Sequence, residues 1–168
     1  MNSQKITLIG MFITLALLAT YIEHLLPPLI PAVPGFKLGL ANIVILCLLY
    51  LFNGKTSLCV NLLRILLAGF LFAGFSSILY AFAGGILSFI AMYFAKKCSA
   101  FSILGVSVLG ATLHNVGQIC VAIMILQSKK LLYYLPMLTI SAVITGLLVG
   151  LVAFYLVQHL NVYCKKFV

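Results

Sequence analysis

The sequence predicts an all-α membrane protein, a polytopic bundle of six transmembrane helices. Of its 168 residues 65% are apolar, and the mean hydropathy is +1.30. A soluble fold cannot keep that much apolar surface from water, whereas a membrane helix needs about 20 mostly apolar residues. Six such helices leave only short loops in a chain of this length, so we expect a single integral membrane domain over residues 1–168.

Six apolar runs, separated by charged, proline or glycine residues, mark the predicted spans. They are Ile6–Leu26, Leu38–Phe52, Ser57–Phe72, Ser76–Ala95, Ile103–Leu126 and Leu135–Leu160. The third span carries Arg64, and the fourth contains Gly84 and Gly85. Between the first two spans lie four prolines in eight residues, Pro27 to Pro34, which no helix continues through. Because this proline loop is apolar, we expect it to pack against the bundle.

The charge pattern predicts topology rather than nucleic-acid binding. The net charge is +9, from ten Lys and Arg residues against a single acid, Glu23. The lysines stand at the ends of apolar runs, where they orient helices and contact lipid headgroups. Their distribution favours two cytoplasmic termini in a multi-pass protein of the cell membrane. The predicted inside set is Lys5, Lys55, Lys96, Lys97, Lys165 and Lys166, and the outside set is Lys37, Lys129 and Lys130.

The cysteines and histidines do not indicate a metal or cofactor. Five cysteines are present without a CxxC pair, and the spacing of the histidines is not typical of a zinc site. Cysteines inside apolar runs behave as small hydrophobic residues. We therefore expect neither a metal site nor a cofactor.

Arg64 is the residue least suited to lipid. It lies near the middle of the third span, where a central Arg costs about 2.5–3.5 kcal/mol on insertion scales. Such residues usually face the bundle interior. One interpretation is a buried ion pair with Glu23; the other is a ligand-binding role, and the two are compatible.

A second polar group lies at the centre of the fifth span. His114 and Gln118 are four residues apart and share a helix face, with Asn115 on the same flank. These side chains need partners inside the bundle, because hydrocarbon offers none. They are either hydrogen-bonding contacts between helices or part of a ligand site. A proton-transfer role is less favoured, since the chain holds one carboxylate.

The start of the second span adds to this candidate site. Lys37 and Asn42 stand where the helix N-terminus favours an anion. With the predicted orientation they lie toward the outer face, as do Glu23 and Tyr80, although an interfacial tyrosine is the commoner explanation for Tyr80. We predict one ligand site, open to the outside and roofed by the proline loop. Its members are Glu23, Lys37, Asn42, Arg64, Tyr80, His114, Asn115 and Gln118.

Three stretches, Pro34–Asn42, Tyr80–Ser88 and Gly105–Gln118, resemble the Gx transporter family, also labelled heptaprenyl diphosphate synthase component I. The resemblance covers nearly the whole chain. It implies a fold similar to the S components of energy-coupling factor (ECF) transporters, with six helices and a lid loop between the first two. In those proteins small residues of the first helix dock on a membrane coupling subunit. Ala16 and Thr20 match this motif, with Thr in place of the usual second Ala.

The resemblance implies a substrate-binding membrane subunit rather than an enzyme. It would take up a small vitamin-like, flavin-like or isoprenoid-like ligand, and the positive bias of the predicted site favours an anionic one. The sequence has no GxxxxGK[ST] motif, so ATPase subunits would be separate partners. The alternative is an accessory membrane subunit of a prenyl diphosphate synthase or a quinone-related redox assembly. Catalysis of its own is not expected there either, because magnesium-diphosphate sites use aspartates and the chain has none.

Overall fold

The described part of the chain is built from six α-helices. The computed structural model describes residues 3–26, 39–98 and 100–164. The helices are α1 (Ser3–Leu25), α2 (Leu40–Leu51), α3 (Gly54–Ala68), α4 (Phe75–Lys97), α5 (Ile103–Leu126) and α6 (Leu135–Cys164). A π-helical turn, Gly69–Ala73, extends α3, and a 3-10 helix, Lys129–Tyr134, precedes α6. The predicted all-α class and the six helices are confirmed, whereas the proline loop and Lys37, Lys165 and Lys166 lie outside the described residues.

Within these ranges, five helices are long and apolar enough to cross a membrane. The exception is α2, whose 12 residues extend about 18 Å, less than a hydrocarbon core of about 30 Å. Seven of those residues are buried, so α2 is enclosed by the other helices. Its end is held by Lys96, whose Nζ donates to the carbonyl oxygen of Leu49 at 2.6 Å. The described part of the chain thus has the helices of a polytopic membrane protein and one short internal helix.

The ends of the helices follow from local side chains. Asn53 caps α3 by accepting a hydrogen bond from the amide of Thr56 at 2.8 Å, and Ser102 accepts from the amide of Gly105 at the start of α5. Such caps satisfy amides that have no partner within the helix. Gly74, with φ of 83°, separates the π-helical turn from α4. Glycine adopts a positive φ without steric cost, which explains why the third and fourth predicted spans are separated at this residue.

The helices close into a ring around a central space. Successive helices from α2 to α6 contact one another, α6 packs back on α2, and α1 lies against α2 and α3. The backbones of α4 and α5 touch, because a Cβ placed on Gly117 would lie 2.8 Å from the carbonyl oxygen of Ala83 and 2.8 Å from the Cα of Gly84. Small residues allow such close approach between membrane helices. This contact fixes the polar centre of α5 against α4.

Replacing Gly117 with Ala tests this helix contact. We expect Gly117→Ala to lower the free energy of unfolding by about 1–3 kcal/mol, since the added methyl group meets backbone that cannot move aside. Gly10→Ala is the matched control, because nothing lies within 4 Å of a Cβ at Gly10. The measurement is the temperature at which detergent-solubilised protein loses its monodisperse peak in size-exclusion chromatography. Equal midpoints for both variants would contradict the packing described.

Candidate functional site

A polar cavity lies inside the ring, and residues from all six helices line it. Its volume is about 70 Å³, enough for a few water-sized groups. We call it the polar cavity. Its polar lining residues are Thr20, Glu23, Asn42, Arg64, Ser107, His114, Asn115, Gln118, Ser141 and Thr145.

The cavity wall on α3 is the guanidinium group of Arg64, which is 6% exposed. Its Nε donates to Oδ1 of Asn61 at 3.1 Å, and its Nη1 donates to the hydroxyl of Thr20 at 3.2 Å. Asn61 in turn donates to the carbonyl oxygen of Gly85 at 3.1 Å. The charge is thereby held inside the bundle by α1 and α4 as well as by its own helix, as expected of an arginine at membrane depth.

Glu23 links α1 to the start of α2. Its Oε1 accepts a hydrogen bond from the amide of Leu40 at 2.6 Å, one of the amides that a helix N-terminus leaves unpaired. The carboxylate also attracts the guanidinium of Arg64 electrostatically. Both groups line the polar cavity. Glu23 therefore accepts a hydrogen bond at the N-terminus of α2 and also partly balances the positive charge of Arg64.

The polar centre of α5 borders the same space. His114 and Gln118 pack against Gly84, where a Cβ would lie 3.1 Å from the His114 ring and 3.0 Å from Cγ of Gln118. Asn115 donates through Nδ2 to the carbonyl oxygen of Leu138 in α6 at 3.0 Å. The structure is compatible with both interpretations of this group. Asn115 joins α5 to α6 by a hydrogen bond, and all three side chains line the polar cavity.

The structure brings together most of the predicted site. Six of the eight residues line the polar cavity, namely Glu23, Asn42, Arg64, His114, Asn115 and Gln118. Tyr80 does not, and Lys37 lies outside the described residues. Ala16 is fully buried, and the hydroxyl of Thr20 accepts the hydrogen bond from Arg64. Docking of a partner by Ala16 and Thr20 stays a prediction, although the structure places both side chains inside the bundle.

Tyr80 lines a second cavity, which we call the apolar groove. This groove has a volume of about 330 Å³ and lies between α4, α5, the 3-10 helix and the start of α6. It borders the polar cavity, because Ala81 and Gln118 line both. Its lining residues are Ser77, Tyr80, Ala81, Gln118, Ile119, Ala122, Leu126, Leu131, Tyr134 and Leu138.

Sequence reasoning missed several residues of the polar cavity and its support. Asn61 is 2% exposed and orients Arg64, and its spacing of three residues from Arg64 on one helix face was a usable signal. Ser141 and Thr145 lie four residues apart on α6 and both face the cavity. Their hydroxyls donate to carbonyl oxygens of their own helix, which explains how an apolar helix accommodates them.

The arrangement is suited to binding an anion or a carbonyl-rich group. An inward guanidinium, an imidazole, amides and hydroxyls surround a small space, and Arg forms strong charge-assisted hydrogen bonds to carboxylate and phosphate. In the part of the chain that the structure describes, no three His, Cys, Asp or Glu side chains lie close enough together to hold a metal ion. The side chains that line the cavity offer charge and hydrogen bonds to a bound group.

The support of Arg64 by Asn61 can be tested directly. Asn61→Ala removes an acceptor from a buried cation, and we expect a loss of about 2–4 kcal/mol of stability, because unsatisfied buried partners of charged groups are costly. Asn161→Ala is the control, since Asn161 is exposed on α6 and the change in residue type is the same. Thermal unfolding of the purified protein measures both. A midpoint for Asn61→Ala that matches the control would show that Arg64 does not depend on this bond.

Comparison with known proteins identifies a family to which the chain is similar. A family model described as Heptaprenyl diphosphate synthase component I matches residues 12–156. The matched range runs from α1 into α6 and includes every described residue that lines the polar cavity. No curated protein and no solved structure matches the chain.

Proposed function

The chain belongs to the heptaprenyl diphosphate synthase component I family, and we propose that it is the substrate-binding membrane subunit of an ECF-type transporter. Its ligand would be small and anionic and would enter from the outer face. The observation that carries this proposal is the guanidinium of Arg64, held inward on a polar cavity that all six helices line. A charge at membrane depth is costly, and such residues commonly mark a substrate pathway.

The position of the cavity supports entry from one end. Glu23 lies near the end of α1 and Asn42 near the start of α2, and both line the cavity. The proline loop joins these two helices in the sequence, so this part of the cavity lies toward that end of the bundle, whereas Met92 and Ser107 line it nearer the opposite end. The lysine distribution favours an orientation with the proline-loop end outside the cell. A ligand from the exterior would therefore meet Glu23 and Asn42 before the deeper polar residues of the cavity.

Transport would need separate energy-coupling subunits. The sequence lacks the phosphate-binding motif of ATPases. Since Ala16 is buried, we propose that a membrane coupling subunit docks on the exposed face of α1. That face presents Met11, Leu15, Leu18 and Ile22, which are 50–58% exposed. In a lipid environment this face contacts acyl chains unless a partner covers it.

The family name favours a second candidate, an accessory membrane subunit of a prenyl diphosphate synthase. The chain itself has no aspartate and one glutamate, so it lacks the hard oxygen ligands with which proteins hold Mg²⁺ on diphosphates. Any such role would be to anchor or supply a catalytic partner. The short connections between the described helices offer little surface for one, and the first proposal fits the internal cavity better.

Arg64→Ala tests the proposed binding site. We expect this variant to lose a co-purified small molecule, with roughly 10–100-fold weaker binding, because a charge-assisted hydrogen bond contributes about 1.5–3 kcal/mol. Lys129→Ala, which removes an equal charge on the exposed 3-10 helix, should retain the molecule. Native mass spectrometry of the detergent-purified protein measures the bound fraction. Equal retention by both variants would contradict the site.

A second variant covers the case in which Arg64→Ala fails to fold. Asn42→Asp is nearly isosteric and adds a negative charge to the cavity, so an anionic ligand should bind at least tenfold more weakly. Asn161→Asp adds the same charge on the exposed part of α6 and should leave binding unchanged. A protein that carries no small molecule but captures a prenyl diphosphate synthase would favour the accessory role instead.

A further inference from the structure

The polar cavity alone is too small for a ligand of ordinary size. It has a volume of about 70 Å³, whereas pockets for drug-sized ligands and cofactors typically measure about 300–1,000 Å³. A carboxylate or phosphate group fits this space, but the rest of a vitamin-sized molecule does not. The remainder of the ligand must therefore lie elsewhere in the protein or extend from it.

The apolar groove supplies adjacent space of the required size. It has a volume of about 330 Å³, and its boundary with the polar cavity is formed by Ala81 of α4 and Gln118 of α5. Gln118 thus lies at the boundary between the polar cavity and the apolar groove. Because Ala81 and Gln118 line both spaces, a molecule with its polar end near Arg64 would reach the groove by passing Gln118.

The lining of the groove matches a hydrocarbon chain. Ile119 and Leu138, which are 6% and 5% exposed, are its most buried apolar members. Ala122, Leu126 and Leu131 continue the apolar surface toward the end of α5. From Gln118 to Leu126 the helix rises about 12 Å, which gives an elongated space. Burial of apolar surface along this length would add affinity without further polar contacts.

We propose that the ligand is an anionic amphiphile whose head group binds in the polar cavity and whose hydrocarbon chain lies in the apolar groove. The inference rests on the proposed binding function and names its substrate class. Gln118 is the specificity-determining residue at the junction, because its amide contacts the part of the ligand where the polar head gives way to the chain. The family's printed name refers to a prenyl diphosphate product, and a prenyl phosphate is one member of this class.

The test uses methyl, hexyl and decyl phosphate as probes. Dissociation constants are measured on the full chain in lipid nanodiscs, with empty nanodiscs as the reference for partition into lipid. We expect hexyl phosphate to bind at least tenfold more tightly than methyl phosphate, because each buried methylene group adds affinity. Ala122→Phe fills the groove and should reduce this gain to less than threefold, while methyl phosphate binds as before. Ala122→Leu fills less of the groove and should give an intermediate gain.

Cys120→Phe is the matched control, because Cys120 is exposed on the same helix and does not line the groove. In this variant hexyl phosphate should still bind at least tenfold more tightly than methyl phosphate.

If Ala122→Phe keeps the same tenfold difference in affinity, the chains adsorb to lipid or elsewhere on the protein, and the inference is overturned. Equal affinity for all three probes, with methyl phosphate binding lost in Arg64→Ala, would also overturn it but leave the proposed function intact. Failure of wild-type protein to bind any probe would contradict the proposed anionic site itself.

Discussion

The structure depends on one constraint, the burial of a guanidinium charge at membrane depth. Neither lipid nor an apolar helix surface offers hydrogen-bond acceptors or a counter-charge to the guanidinium of Arg64. The bundle therefore surrounds it with polar groups from several helices. Asn61 and Thr20 accept its hydrogen bonds, and Glu23 offsets its charge. Because Glu23 also accepts the first amide of α2, the charge balance of the site is connected to the placement of the short internal helix.

Close helix packing makes this polar interior possible. Glycines bring α4 and α5 into backbone contact at Gly84 and Gly117, and they bring α6 onto α5 at Gly146 and Gly150. In a membrane such contacts replace the hydrophobic driving force that associates helices in water. The space left by these tight contacts is divided into a polar cavity and an apolar groove, and both have Gln118 on their boundary.

Composition and apolar runs were enough to predict the helices, because hydrophobicity and length dominate the behaviour of a chain in lipid. They did not predict that α2 is a short internal helix, which in the described residues runs from Leu40 to Leu51 with Gly39 and Phe52 as its caps, because burial within the bundle depends on tertiary packing. The inward face of Arg64, His114 and Gln118 was predicted because these residues have no stable place in hydrocarbon. The position of Tyr80 in the apolar groove and the contact of Asn61 with Arg64 could not be predicted, since helix rotation and the boundary between the two cavities depend on tertiary packing that local patterns do not encode.

The arrangement requires that the polar cavity lies inside the bundle, away from lipid, and is reached from the cell exterior. Adjacent residues of α6 test it, because Ser141 lines the polar cavity whereas Ile140 is 65% exposed on the outer surface of the bundle. In a background with the native cysteines replaced, Ser141→Cys and Ile140→Cys are treated in intact cells with a membrane-impermeant thiol reagent. We expect modification of Ser141→Cys and no reaction of Ile140→Cys, which would face hydrocarbon. The reverse pattern, or an inert Ser141→Cys, would contradict it.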